Sequence, residues 1–399
     1  MTTRASILAP LAVALFGCNL ITGANDFEIA TGGGVAQGGN GAASTGDGAG
    51  ETSTGASTST GAQNAGGAGP SGGGDPTGGS GPGPDCPTAC GASEHCDAAT
   101  HTCVCDPGFV DEGGTCSPVD PGDPTLRTAQ EVCDRWAQDH QITEPDPFDS
   151  SGAQCDPGTL KQGGIDDTLV RINLFRWLSG LGPTSDDPAL NAVDQKCANL
   201  EAWWDFSNPN SPHSPPPSST CYTSEGASGA GMSNIAWGNG PADSIDQFME
   251  DNGNATTMGH RRWIVNPPLG PVGIGYWEGG GTYGSAECLA VFGSSGGGPN
   301  PPWVAVPNQG YVPLTIAQWT WTFHGNDSGI PTATIAVTRV GDGADLPVTV
   351  QQLQQGFGQN TISWVPNGWQ PAANETYRVT VSGLTSGSVT YDVKPVACN

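Results

Sequence analysis

The sequence predicts an α+β chain of several parts, and three observations carry that reading. Leu190, Val193, Cys197, Leu200 and Trp204 recur at helical spacing; beyond Gly310 the apolar residues alternate with a period of two; and six cysteines lie between Cys86 and Cys116. Helices mixed with short strands call for a layered domain. A long alternating run calls for an antiparallel sandwich, and the cysteine cluster for a small module held by bridges. The expected divisions are 1–18, 19–84, 85–117, 125–295 and 300–399.

In chain order, Arg4 precedes an apolar run from Ile7 to Phe16. The run is too short to span a bilayer as a helix, so a cleaved export signal is expected. Its end, Leu15-Phe16-Gly17-Cys18, resembles the lipobox of bacterial lipoprotein signal peptides. The resemblance implies acylation of Cys18 and anchoring in a lipid bilayer. With Asn19 next rather than aspartate, it implies an outer-membrane or cell-surface location in a bacterial envelope. An ordinary secretory signal with an incidental cysteine is the alternative. From Thr31 to Pro84 the chain is dominated by Gly, Ser, Thr, Ala and Pro, with no aromatic and no basic residue. Such a segment buries too little apolar surface to fold, so a disordered tether is expected, with a reach of roughly 40 Å. The whole chain carries 39 Asp+Glu against 12 Lys+Arg, a formal net charge of −27. Nucleic-acid phosphate is repelled by such a balance, so nucleic-acid binding is excluded.

The thirteen cysteines leave twelve once Cys18 is assigned to lipid, an even number suited to full pairing in an exported protein. Spacing alone permits fifteen connectivities among Cys86, Cys90, Cys96, Cys103, Cys105 and Cys116. The cluster, with Cys-Val-Cys followed by Pro-Gly-Phe, resembles an EGF-like module. That resemblance implies Cys86–Cys96, Cys90–Cys103 and Cys105–Cys116. With only Asp85 ahead of the first cysteine, no calcium site is expected. Six cysteines remain, and the expected pairs, one choice among fifteen, are Cys133–Cys155, Cys197–Cys221 and Cys288–Cys398.

The central part begins with a helix expected from Asp167 to Ser179, stopped by Gly180 and Gly182. The next, through Leu190 to Trp204, has Asp187 placed to cap it and Pro188 at its first position. A third is expected from Ala242 to Asp251, and short strands at Ser233 to Trp237, Val272 to Tyr276 and Cys288 to Phe292. From Gly310 onward six or so strands form the antiparallel β-sandwich. His324 is expected at a turn or on an edge strand rather than as a ligand.

Chemistry concentrates on His213, His260 and Asp251. Two neutral imidazoles and a carboxylate suffice for the first shell of a divalent metal such as zinc, with water completing it. Two unrelated polar histidines are the other reading. No HExxH helix or Walker loop occurs in the chain. The ordered set INLFRWLSGL, HSPPPSSTCYT, SNIAWG, SIDQFMED and GHRRW resembles the CAP superfamily, the SCP-like domains, over about residues 165 to 293. The resemblance implies an α-β-α sandwich with an open cleft holding two histidines and two acids. His213, His260 and Asp251 match three of these positions. The second acid falls on Ser233, which cannot act as a charged ligand, so Glu250 or Glu225 is a candidate to replace it. Ser214 and Ser233 are the loosest of candidate nucleophiles.

Arg261 and Arg262 are expected in extended chain on opposite faces, one buried and pairing with Asp251 or Glu250 and the other exposed, while Trp263 packs beneath the sheet; two surface charges are the other reading. Three functions are open. The first is a surface-anchored binding module for a lipid, glycan or protein. The others are a metal-assisted hydrolase using the cleft residues and an adhesion spacer with a vestigial cleft.

Overall fold

The computed structural model describes Cys86 and residues 89–97, 99–293, 295, 296, 298 and 300–398; Cys18, the export signal and the tether at 19–84 lie outside them. The cysteine-rich part consists of two hairpins, β1 (Glu94–Asp97) with β2 (Thr102–Cys105) and β3 (Phe109–Asp111) with β4 (Cys116–Pro118). It is held by Cys86–Cys96, Cys90–Cys103 and Cys105–Cys116, the pairing that the resemblance implies. Bridges do here what apolar burial does in a larger core.

Helix α1 (Ala129–Asp139) opens on a capping box between Thr128 and Glu131. Strands β5 (Phe148–Asp149) and β6 (Thr159–Leu160) form a small hairpin ahead of α2 (Gln162–Leu178). Helix α3 (Pro188–Ala202) starts as its sequence dictates, with the Asp187 side chain accepting from Ala189 N and Pro188 in the first turn. Helix α4 (Ser224–Met232), strand β7 (Ser233–Trp237), helices α5 (Pro241–Glu250) and α6 (Gly259–Ile264), and the hairpin β8 (Gly273–Gly280) and β9 (Gly284–Ala290) complete this part.

The strands run in the order β7-β9-β8, all antiparallel. Helices α3 and α4 cover one face, α5 backed by α2 the other. The alternation of β9 makes this explicit. Cys288 reaches α3 through its bridge to Cys197, while the neighbouring Glu287 turns to Ser244 of α5. Helix α3 lies so close to β8 that a Cβ on Gly275 would stand 2.0 Å from the Asp194 backbone, which is why GIGYWEGG carries glycine there. Gly226 and Gly229 let α4 approach α3 in the same way. This close packing forms a helix from a glycine-rich stretch that shows no helical period.

The C-terminal part is a pair of sheets, β10 (Trp303–Val306), β11 (Gly310–Pro313), β12 (Trp321–Gly325), β13 (Thr334–Arg339), β14 (Ala344–Leu346), β15 (Val348–Gln352), β16 (Asn360–Pro366), β17 (Tyr377–Leu384) and β18 (Gly387–Val396). A four-stranded sheet of order β10-β12-β16-β15 faces a five-stranded one of order β11-β18-β17-β13-β14. Trp321, Phe323 and Trp364 from the first share a core with Val379, Val381, Tyr391 and Val393 from the second. The sandwich is not wholly antiparallel as expected: β11 pairs parallel with β18, because the connection from β10 crosses to the opposite sheet.

Four other expectations are corrected. Cys133 pairs with Cys398, Cys155 with Cys221 and Cys197 with Cys288. Position along the chain does not encode which faces meet, and Cys197 on the inner side of α3 looks at the sheet rather than at the loop holding Cys221. His324 lies in β12, an interior strand, and is buried; its nitrogens meet Thr361 Oγ1 at 3.0 Å and Thr322 Oγ1 at 2.8 Å. Burial, with Arg262 and Arg261 nearby, holds its pKa well below the ordinary value, so it stays neutral. GHRRW is helical rather than extended, and both arginines are buried instead of one. Finally, neither arginine pairs with Asp251 or Glu250 through a carboxylate; both guanidinium groups donate chiefly to backbone carbonyls, as detailed below. Trp263 is half-buried, edge-on to Phe292 at 4.3 Å.

Candidate functional site

The site is assembled by α5, the loop after it and the short helix α6. Asp251 ends α5 in the left-handed conformation (φ 57°), which aspartate tolerates better than most residues. Met258, also left-handed (φ 51°), starts α6. Between them Asn254 Nδ2 donates to Asp251 Oδ1 at 3.1 Å, and Asn254 Oδ1 accepts from Thr257 Oγ1. Asp251 does two things with its buried carboxylate. Oδ1 accepts from His260 Nδ1 at 2.8 Å, and Oδ2 lies 3.4 Å from the Arg261 backbone N–H in the first turn of α6. The imidazole of His260 is thus fixed on the Nδ1–H tautomer, with Nε2 carrying the lone pair. Phe248 packs on its ring at 5.2 Å, and Asn234 Nδ2 of β7 donates to the His260 carbonyl at 3.1 Å.

His213 arrives from a separate loop, which the Cys155–Cys221 bridge ties down eight residues further on. Its Nδ1 lies 2.9 Å from the Ala230 carbonyl at the end of α4, so this ring too carries its proton on Nδ1. Nε2 is buried without a hydrogen-bond partner. Burial pushes the His213 pKa down to about 4, and the neighbouring His260 adds to the shift, so the two rings are close enough to sense each other's charge.

Asp251 therefore stands behind His260 and not beside it as a third ligand. Among the described residues, the only three candidate ligand atoms within 4.8 Å of one another are the sulfurs of Cys86, Cys90 and Cys103, all in disulfides. The other sequence candidates turn away. Ser233 Oγ is 2.7 Å from the Gly229 carbonyl and 3.1 Å from Asp194 Oδ1. Glu225 is exposed and faces Lys196 at 3.8 Å, Ser214 is exposed, and Glu250 contributes its carbonyl to Arg261.

Asp194 was not singled out by sequence reasoning. It is fully buried in α3, its Oδ2 accepts from Ala290 N at 2.6 Å, and burial raises its pKa to about 8. Protonated at neutral pH, it can give its proton to Ser233 Oγ while that hydroxyl donates to Gly229. Asn234, which holds the His260 backbone, was equally unmarked, although its place in SNIAWG was a signal.

Arg261 and Arg262 fix α6 from behind. Arg261 Nε donates to the Met249 carbonyl at 2.5 Å, Nη1 to the Thr320 carbonyl at 2.5 Å and Nη2 to the Glu250 carbonyl at 3.1 Å. Arg262 donates to the carbonyls of Thr257 at 3.0 Å, Gln354 at 2.6 Å and Gln359 at 3.0 Å. Burial lowers both pKa values to about 10, which leaves the groups charged at neutral pH. From α2, Arg176 adds bonds to the carbonyls of Ile264 at 2.9 Å and Asn266 at 3.0 Å, holding the far end of α6.

A buried acid without a partner lies on α3, across the sheet from α5. Both Glu201 carboxyl oxygens are buried and unbonded, and burial raises that pKa well above the ordinary value. The folded state keeps a proton that the unfolded state releases near pH 4.5, so stability falls as pH rises above that point. Glu201→Gln is expected to raise stability at pH 8 by roughly 1–2 kcal/mol, with the gain vanishing toward pH 4. Urea unfolding at the two pH values measures it, and an equal effect at both would refute it.

Comparison of the chain with family models, with curated proteins and with solved structures found no match.

Proposed function

We propose that this chain is an exported, lipid-anchored binding protein of the bacterial surface. In this reading it carries an EGF-like module, a CAP-like domain and a β-sandwich, and its cleft takes a ligand on the paired imidazoles. The reading is carried by His213 Nε2, a buried acceptor with nothing to accept from, on a ring that stays neutral at physiological pH. An unpaired buried acceptor costs about 1–3 kcal/mol, which a ligand donor or a metal would recover. Anchoring at Cys18 rests on the lipobox resemblance. Among the described residues no helix is long and apolar enough to cross a membrane.

The two imidazoles are donors that zinc takes, but with Asp251 behind His260 they supply only two, so a bound ligand or water would have to complete the shell. Both rings have Nδ1 bound to an oxygen acceptor, the arrangement that orients Nε2 toward a metal, and His213 and His260 would hold the ion with Asp251 supporting from behind. Such an ion would supply a Lewis-acid centre with open positions for a ligand's oxygen. A hydrolase would also need a nucleophile. Ser233 Oγ is engaged with Gly229 and Asp194, which favours binding over turnover.

Zinc alone is the first probe. Titrated into protein spanning residues 85–399, it is expected to bind one per chain, with loss of binding in His213→Ala or His260→Ala. Asp251→Asn should weaken it roughly 10- to 100-fold. Zinc binding that ignores both histidine changes would sink the reading and leave the cleft without a role, as in a spacer. Product release from peptide or ester libraries, abolished in His213→Ala, would replace it with the hydrolase.

A further inference from the structure

The cysteine-rich module is seated on the α/β domain, and the seat contains an unusual group of charges. His95 of β1 is largely buried. Its Nδ1 is 3.0 Å from Asp106 Oδ1 in its own module, and its Nε2 is 3.6 Å from Asp166 Oδ2 on α2. The charged groups facing this ring are Asp97 and Asp106 from the module, Asp166 from α2 and Asp186 from the segment before α3. All are carboxylates. A neutral imidazole carries one N–H and can donate to only one of its two neighbours, whereas an imidazolium donates to both. Beside this group lie contacts that ignore pH: Asn173 Nδ2 donates to the Pro107 carbonyl at 2.8 Å, and Gly108 sits against Pro183 where a Cβ would be 2.7 Å from the proline ring.

We propose that His95 is a proton-operated latch between module and domain, bridging Asp106 and Asp166 when charged, so that docking tightens as pH falls and loosens as it rises. The carboxylates work in the same direction. Asp186 is raised to about 6, by burial first and by Asp106 and Asp166 after it, and Asp166 is raised chiefly by burial. His95 is raised too: burial opposes the charge, but the bond to Asp106 and the charges of Asp166, Asp106 and Asp186 outweigh it. Groups whose pKa rises on docking take up protons as the contact forms, so docking weakens as pH climbs through those values. Above the His95 pKa, Asp106, Asp166 and Asp186 are left facing one another around a neutral ring. A surface protein on a tether would then present its module rigidly in acid surroundings and free it in alkaline ones.

Amide hydrogen exchange on the full-length protein tests this at pH 7.0 and 8.5, where titration of Asp186 is largely complete. After correction for intrinsic exchange, both sides of the contact, residues 106–109 and 183–187, should lose protection several-fold at the higher pH. His95→Gln, which keeps a hydrogen-bonding group but cannot charge, should make protection independent of pH in that interval. An NMR titration of the His95 ring gives a second readout without the variant: its midpoint should lie above 6.5 and fall in Asp166→Asn. Equal protection at both pH values, a pH response surviving in His95→Gln, or a midpoint unmoved by Asp166→Asn would overturn the latch.

Discussion

Arg261→Met should destabilise the folded chain by about 3 kcal/mol, because the three carbonyls that the guanidinium serves, one buried and two partly buried, would lose their donor. Methionine fills most of the space, so the loss isolates the polar term. Lysine keeps the charge but presents a point donor in place of a planar fork, and Arg261→Lys should recover only about half of the loss. The cost falls on both sides of a boundary, since Met249 and Glu250 belong to α5 while Thr320 precedes β12 in the sandwich. Urea unfolding followed by tryptophan fluorescence reads it directly. A loss below about 1 kcal/mol would mean that these carbonyls find water instead.

The second large effect concerns the bridge from α1 to the chain end. Cys133–Cys398 spans a sequence separation of 265 residues, and the overlapping bridges Cys155–Cys221 and Cys197–Cys288 shorten the free loop without closing it. Chain entropy assigns a long closed loop about 4 kcal/mol of stabilisation. The double substitution Cys133→Ser with Cys398→Ser should therefore lower stability by about that amount while leaving the other bridges formed. Denaturation in urea, with thiol counting to confirm the remaining bridges, measures it. A midpoint unchanged from the parent protein would show that non-covalent packing alone fixes the terminus.

How far these features could be read from residues depends on the kind of physics involved. Helix α3 was legible because its cap, its first-turn proline and its apolar spacing all agree, and β7 because five residues alternate between two covered faces. Helices α4 and α6 were not, since one is glycine-rich and the other is only six residues long, and each is helical through the surfaces that hold it. The histidines could be named in advance, but the role of Asp251 could not. Whether a carboxylate lies beside an imidazole or behind it is decided by a left-handed residue at a helix end. Asp194 and Glu201 escaped notice because a single acid on an amphipathic helix reads as surface until the sheet and neighbouring helix close over it. The long-range cysteine pairs were beyond reach for the same reason: pairing records which faces meet, and no local pattern states that.

Helix α6 carries His260 on one side and, in the next two residues, cations that end on Thr320, Gln354 and Gln359. A boundary drawn near residue 300 therefore divides the architecture but not the hydrogen bonding. Severed there, the N-terminal portion would lose the carbonyls that hold α6 from behind. The sandwich is in this sense a foundation wall for the short helix, and a substitution around Thr320, Gln354 or Gln359 would reach His260 through the two arginines without touching the histidine itself.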